Sequence, residues 1–170
     1  MSDLITRPRR LRYNAVVRDL VAEARVDSRM LVQPHFVVPG TGISEPIEAM
    51  PGIDHQSVDR LLETVAGDLE LGIRSVLLFG LCEEEHKAAD GRAAFAEDAV
   101  VSRAVDGLKQ RFGDELAVMT DVCLCAYTDH GHCGVVIGDR IDNDATLPLL
   151  SRIDLADPRP QILVLTPTRE

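Results

Sequence analysis

The chain has 170 residues, 45% of them hydrophobic, which is enough for one domain with a real core and excludes a disordered or fibrous class. A formal net charge of −10 argues against nucleic acid or an anionic membrane as partner, and no apolar run approaches the ~18 residues that span a bilayer. Four cysteines in a chain of this length are not a disulfide framework, and "MSDLITRPRR" carries no apolar signal segment, so a reducing cytoplasm with thiols free for metal is expected.

Residues 1–13 read as an extended arm, because Pro8 and the arginines of "RPRRLR", Arg7 to Arg12, offer no apolar face. That cluster is either a solvated arm or a dock for acidic surface on another subunit, and it is too short to make the chain a nucleic-acid binder. Asn14 caps a helix whose Val17, Leu20, Val21 and Ala24 share a face. "MLVQPHFVV", Met30 to Val38, is a strand in which Pro34 predicts a bulge or an unpaired N–H. "GTGISEPIEAMPGI" reads as a loop with two proline turns.

Ser57 then caps an amphipathic helix with Val58, Leu61, Leu62, Val65 and Leu69 at helical spacing, ended by Gly72. "IRSVLLFG", Ile73 to Gly80, is a strand of the fully buried, parallel type. "LCEEEHKAADGRAAFAED" is a polar loop whose "EEEHK" run, Glu83 to Lys87, is most simply solvated. A second amphipathic helix covers Val100 to Phe112, with Val101, Ala104, Val105 and Leu108 inward. "LAVMTDVCLC", Leu116 to Cys125, is a third strand. Beyond a glycine-rich loop, "IDNDATLPLLSRI" starts a helix capped at Asp142 to Asp144 and interrupted by Pro148, and "QILVLT", Gln161 to Thr166, is one more strand. Helix and strand alternate throughout. That predicts an α/β fold with a parallel sheet, either doubly wound or an arc of a (β/α) barrel. No glycine-rich dinucleotide or phosphate loop follows any strand.

The chemistry concentrates in "TDVCLCAYTDHGHCG", Thr120 to Gly134. On a strand, Asp121, Cys123 and Cys125 share one face, with the two thiols about 6 to 7 Å apart by strand rise. Cys133 arrives from a loop that Gly131 and Gly134 let turn sharply. Three thiolates suit zinc by softness and geometry. A fourth position left open makes a catalytic site, and one closed by Cys82, His130 or His132 makes a structural one. His130 and His132 are ligands, partners of ligands or proton carriers; spacing does not separate these roles. His35, His55 and His86 stand alone and fit surface or core roles.

These residues resemble the porphobilinogen synthase (δ-aminolevulinic acid dehydratase) family. "TDVCLCAYTDHGHCG" looks like its zinc signature, "RPRRLR" resembles its arm motif, and "EPIEAMPGI" its proline-glycine loop. "LGIRSVLLFG" is similar to its second barrel strand, and "DNDATLPLL" to the segment after the metal loop. The likeness covers Arg7 to Leu150, so residues 14–155 are expected to form the first half of a TIM-type (β/α) barrel, with residues 156–170 a divergent tail.

The resemblance implies an eight-stranded barrel with an arm embracing a neighbouring subunit in an oligomer. It also implies condensation of two 5-aminolevulinate molecules to porphobilinogen with loss of water, in haem and tetrapyrrole synthesis. Carried over, Cys123, Cys125 and Cys133 are Zn²⁺ ligands, with Cys82 a candidate fourth, and Asp121 is a catalytic residue. The sequence departs from the family's pattern at Asp129, where serine is usual, at Ala126, where glutamate is common, and in "IDHQS", which lacks an arginine. The family anchors its substrates on two lysines from later strands. The two lysines here, Lys87 and Lys109, fall outside those motifs, so the chain reads as truncated before the Schiff-base lysines. The alternative is a non-catalytic zinc-binding half-barrel that associates with a full-length synthase or another partner.

Overall fold

A computed structural model describes residues 8–96, 98–151 and 162–164. Pro8–Arg12 form a 3₁₀ turn rather than extended chain, while Arg7 and the residues before it lie outside the described residues. Helix α1 (Ala15–Leu20) follows, and the Asn14 side chain accepts from Val17 N at 2.9 Å as expected. The helix stops short of Ala24 and buries none of its residues: Val16 and Leu20 are 76% and 80% exposed. Its apolar face is real but uncovered.

Strand β1 (Gln33–Val37) lies inside a six-stranded sheet ordered β2-β3-β1-β4-β5-β8. The others are β2 (Ser44–Pro46), β3 (Asp54–Gln56), β4 (Ser75–Gly80), β5 (Ala117–Asp121) and β8 (Ile162–Val164). All neighbours run parallel except β2, which is antiparallel to β3. Pro34 is tolerated for a positional reason. Val38 N donates to Gln56 O, so by alternation the Pro34 nitrogen faces the β3 side, before β3 has begun to pair. Within the predicted loop at residues 40–53, β2 forms and pairs with β3 as a hairpin, with Pro46 ending β2 and Pro51 in the turn between the strands.

Helices α2 (Val58–Glu70) and α3 (Val100–Phe112) cover one face of the sheet. The core there is Val37, Val76, Leu78 and Val118 from strands, packed on Leu61, Val65, Ala104 and Leu108. Strand β4 was expected to be buried on both faces. It alternates instead, with Val76, Leu78 and Gly80 buried and Ser75, Leu77 and Phe79 only half-buried. Phe36 and Phe79 stack at 5.1 Å on that open face, the side a closed barrel turns inward. The sheet does not close into a barrel among the described residues.

After β5 come a small antiparallel hairpin, β6 (Val136–Ile137) with β7 (Arg140–Ile141), and helix α4 (Asn143–Leu150). Asp142 caps α4 by accepting from Ala145 N at 2.8 Å, and the helix runs through Pro148 instead of breaking there. From the tail, the backbone of β8 pairs with β5, Asp121 opposite Val164. Residues 152–161 and 165–170 lie outside the described residues.

Candidate metal centre

Strand β5 stops at Asp121, not at Cys125, so the two cysteines do not share a strand face. The cause is Leu124. It is fully buried, and the chain turns around it, with Tyr127 N and Thr128 N both donating to Leu124 O at 2.9 and 3.0 Å. The turn brings the thiols closer than a strand would. Cys123 Sγ and Cys125 Sγ lie 3.3 Å apart, and with Cys133 Sγ all three lie within 4.8 Å of one another.

Cys133 is delivered as the glycines suggested, by two different means. Gly131 adopts φ +72°, a left-handed turn open to glycine. Gly134 has no such φ; its role is space, since a Cβ there would meet Thr146 Oγ1 at 2.5 Å. Thr146 is 5% exposed, accepts from Val135 N at 2.9 Å and donates to Asp142 O at 2.6 Å. The start of α4 thus fixes the exit of the thiol loop. The buried Thr128 hydroxyl donates to His132 O at 2.9 Å and holds its middle.

The thiols are poorly suited to ionise alone. Burial first, then the neighbouring Cys123 thiol, pushes Cys125 up to about 12, and Cys133 is raised by the same causes in the same order. The strongest neighbours of Cys125 are the other two thiols, so three thiolates here lack a compensating charge. A soft cation supplies it. The donor set and spacing fit a tetrahedral metal with three sulfur ligands. Asp121 is half-buried at the end of β5, close enough for its charge to act on Cys133. Burial raises its carboxyl, opposed by a hydrogen bond from Val122 N.

Cys82 stands outside the group of three, and its Sγ donates to Ala126 O at 3.6 Å. His130 accepts from His132 N at its Nδ1, 3.2 Å away, while its Nε2 faces Ala89 O at 3.4 Å. These two bonds fix the Nε2–H tautomer, and the ring serves as a loop brace. His35 is buried against Asp68 at 3.0 Å, His55 packs edge-on to Phe36, and His86 faces Glu83 at the surface. Lys87 Nζ bonds Glu84, which raises its pKa, and Lys109 Nζ donates to Leu116 O at 2.9 Å. Lys109 thus curls back over the end of its helix. Tyr127, Thr128 and Thr146 are the residues that sequence reasoning missed. Their signal was a lone buried-type aromatic and a threonine in the loop, and a second threonine in the first turn of α4.

A cleft of ≈ 970 Å³ opens beside the loop, lined by Cys82, Lys87, Phe95, Arg103 and Tyr127 among others. No helix among the described residues is long and apolar enough to cross a membrane.

Fold and site together define an α/β chain of the parallel (β/α) barrel type, with a three-thiol cluster at the carboxyl ends of its strands. The delta-aminolevulinic acid dehydratase family model matches residues 5–167. Relatives of that name include one from Ruminiclostridium josui, 42% identical over 90% of this chain and 73% of its own length. Another, from Streptomyces coelicolor, is 44% identical over 83% of this chain and 43% of its own length. The one from Bacillus subtilis is 36% identical over 99% and 51%. The structure of delta-aminolevulinic acid dehydratase (porphobilinogen synthase) from Toxoplasma gondii, in complex with the reaction product porphobilinogen, superposes with a TM-score of 0.82 at 34% identity, covering 89% of this chain and 43% of that one. The chain belongs to the delta-aminolevulinic acid dehydratase family. It spans about half the length of the Streptomyces and Bacillus relatives.

Proposed function

We propose that this chain carries the metal half of a porphobilinogen synthase active site. The reaction is the condensation of two 5-aminolevulinate molecules to porphobilinogen with loss of water, which serves haem and tetrapyrrole synthesis. One observation carries this reading: three sulfurs within 4.8 Å of one another, at the strand mouth beside Asp121. The metal is Zn²⁺, held by Cys123, Cys125 and Cys133. A zinc ion held there would supply Lewis-acid chemistry. The chain's own residues do the rest. Asp121, at the end of β5 beside the thiol cluster, would hold and return a proton at its carboxylate. Leu124 and Tyr127 keep the loop packed and partly dry, and Thr128 and Thr146 fix the path of the backbone.

Neither lysine offers a free amine: Lys87 is held protonated by Glu84, and Lys109 is spent on backbone carbonyls. The family's covalent anchoring therefore needs amines from other positions. Subunits of a full-length synthase would supply such amines, whereas further copies of the chain repeat the same two lysines and would serve assembly alone, in a reducing cytoplasm that keeps the thiols free. Residues 1–13 form the arm, residues 14–155 the barrel half and residues 156–170 the tail of this arrangement. A second reading keeps the zinc and drops the catalysis, with the chain acting by association alone. The apolar stretch left exposed at Tyr13, Val16, Leu20, Val26 and Met30 favours it.

The test mixes the purified chain with a separate polypeptide bearing the family's later, lysine-carrying strands. Zinc-dependent porphobilinogen formation that disappears with Cys133→Ser supports the catalytic reading. Bound zinc and a stable complex without product support the second. Four sulfurs around the metal, falling to three in Cys82→Ser, would make the site a closed structural one instead.

A further inference from the structure

We propose that the segment that follows β4, residues 81–91, is the bed that pre-forms the thiol cluster, with Tyr127 and Cys82 as positioning residues. This inference rests on the metal reading above and adds where the site's geometry is stored. Two segments far apart in sequence meet here at four places. Cys82 Sγ donates to Ala126 O at 3.6 Å, on the residue next to Cys125. Ala88 N donates to Tyr127 O at 3.1 Å. Ala89 O faces His130 Nε2 at 3.4 Å. Gly91, at φ +59°, presents its bare Cα to the buried Leu124, where a Cβ would come within 3.2 Å of the leucine.

Tyr127 is the anchor of this contact. It is 7% exposed, and its ring lies over Gly80 at the end of β4, where any Cβ would overlap its hydroxyl. The end of a core strand therefore seats the aromatic ring, and the ring seats the turn that carries Cys123 and Cys125. Among the described residues no helix or strand lies between Asp121 and Val136, so the loop's own turn at Leu124 is supported from outside. A loop already held in place by these contacts brings all three thiols to one metal with little ordering cost on binding. Groups that orient metal ligands from outside are typically worth 10- to 100-fold in affinity.

Cobalt(II) is the probe, because its visible and thiolate charge-transfer bands report both affinity and sulfur count. Titrations compare the full chain with Tyr127→Phe, Tyr127→Ala, Cys82→Ser, Cys82→Val, Gly91→Ala and Cys133→Ser. Tyr127→Phe keeps the ring and is expected to bind like the original chain. Tyr127→Ala is expected to lose about 10- to 100-fold with its three-sulfur spectrum retained at saturation. Cys82→Val loses a few-fold and Cys82→Ser recovers it, because serine restores a donor to Ala126 O. Gly91→Ala, which displaces Leu124 and touches no ligand, lowers affinity while the urea midpoint of the metal-free chain shows that it is folded. Equal affinity across the Tyr127, Cys82 and Gly91 variants, with binding abolished only by Cys133→Ser, overturns the bed. Affinity unchanged by Cys133→Ser overturns the metal reading itself.

Discussion

Two places in this molecule press titratable side chains together away from water, and they solve the problem in opposite ways. On the helix-covered face, His35 of β1 sits 4% exposed against Asp68 of α2, and the Gln56 side chain bonds the same ring. Gln56 Nε2 donates to Thr64 Oγ1 at 2.7 Å, and Thr64 donates on to Arg60 O at 3.2 Å. Each of these groups has a partner within the chain, from buried His35 out to exposed Thr64. At the mouth of β5, Cys123, Cys125 and Cys133 lie together, and among the described residues the groups that act on Cys125 include no cation. A closed network rigidifies and contributes to stability. An open one marks the place where something must come from outside, and that contrast separates scaffold from site.

The largest effect is expected where the contrast is sharpest. Replacing Cys125 by serine should weaken zinc by more than about 100-fold, since it removes a ligand and not merely a group that orients one. Competition with a chromophoric chelator measures this, and retention of affinity would make the thiols ordinary core residues. Next, zinc at about a hundred times its dissociation constant should stabilise the folded chain by about 2.7 kcal/mol. For a domain of this size that is a rise of roughly 5 to 10 °C in melting temperature. The rise should vanish with Cys125→Ser and persist with Asp68→Ala, because the His35 centre needs no metal.

Asp68→Ala tests the closed network directly. It leaves the His35 Nε2–H buried without its acceptor, at a cost of about 1–3 kcal/mol. Urea unfolding at pH 7.5 reads the loss. A midpoint shift below the precision of the method would show that the pair is solvent-repaired and not a closed network.

How much of this was legible before the structure depended on the range of the interactions. Helices at Val58–Glu70 and Val100–Phe112 declare themselves through local periodicity, and both form where the spacing predicts. The thiol cluster was legible from residue type alone. Its geometry was not, because β5 ends at Asp121 to bury Leu124 against Gly91, a contact that spans more than thirty residues of sequence. The β2–β3 hairpin was hidden for a related reason. Its three-residue strands carry Pro46 at one end, and only pairing with the end of β1 makes them strands at all. The face of β4 that stays open could not be read either. "SVLLFG" is apolar on both sides, and which side the helices cover is a property of the arc.

The smallest effect is the pH dependence that the His35 centre should lend to stability. Burial lowers the His35 pKa below its ordinary 6.5, outweighing the upward pull of Asp68. The folded state therefore binds fewer protons than the unfolded chain once the pH falls under 6.5. The neutral ring's contribution is complete above 6.5, then shrinks as the pH drops toward and through the lowered folded value. Two charged groups on neighbouring elements enter: Asp68 on α2 facing the ring, and Asp54 on β3, which lines the same small polar cavity and accepts from Ser44 Oγ at 2.6 Å. Urea midpoints at pH 7.5 and 5.5 for the original chain and for His35→Gln isolate the histidine, since other groups cancel in the difference. The original chain should lose stability between the two pH values by more than the variant does. Equal slopes would mean that Asp68 offsets burial in full, and the pair would then be an ion pair in a dry wall.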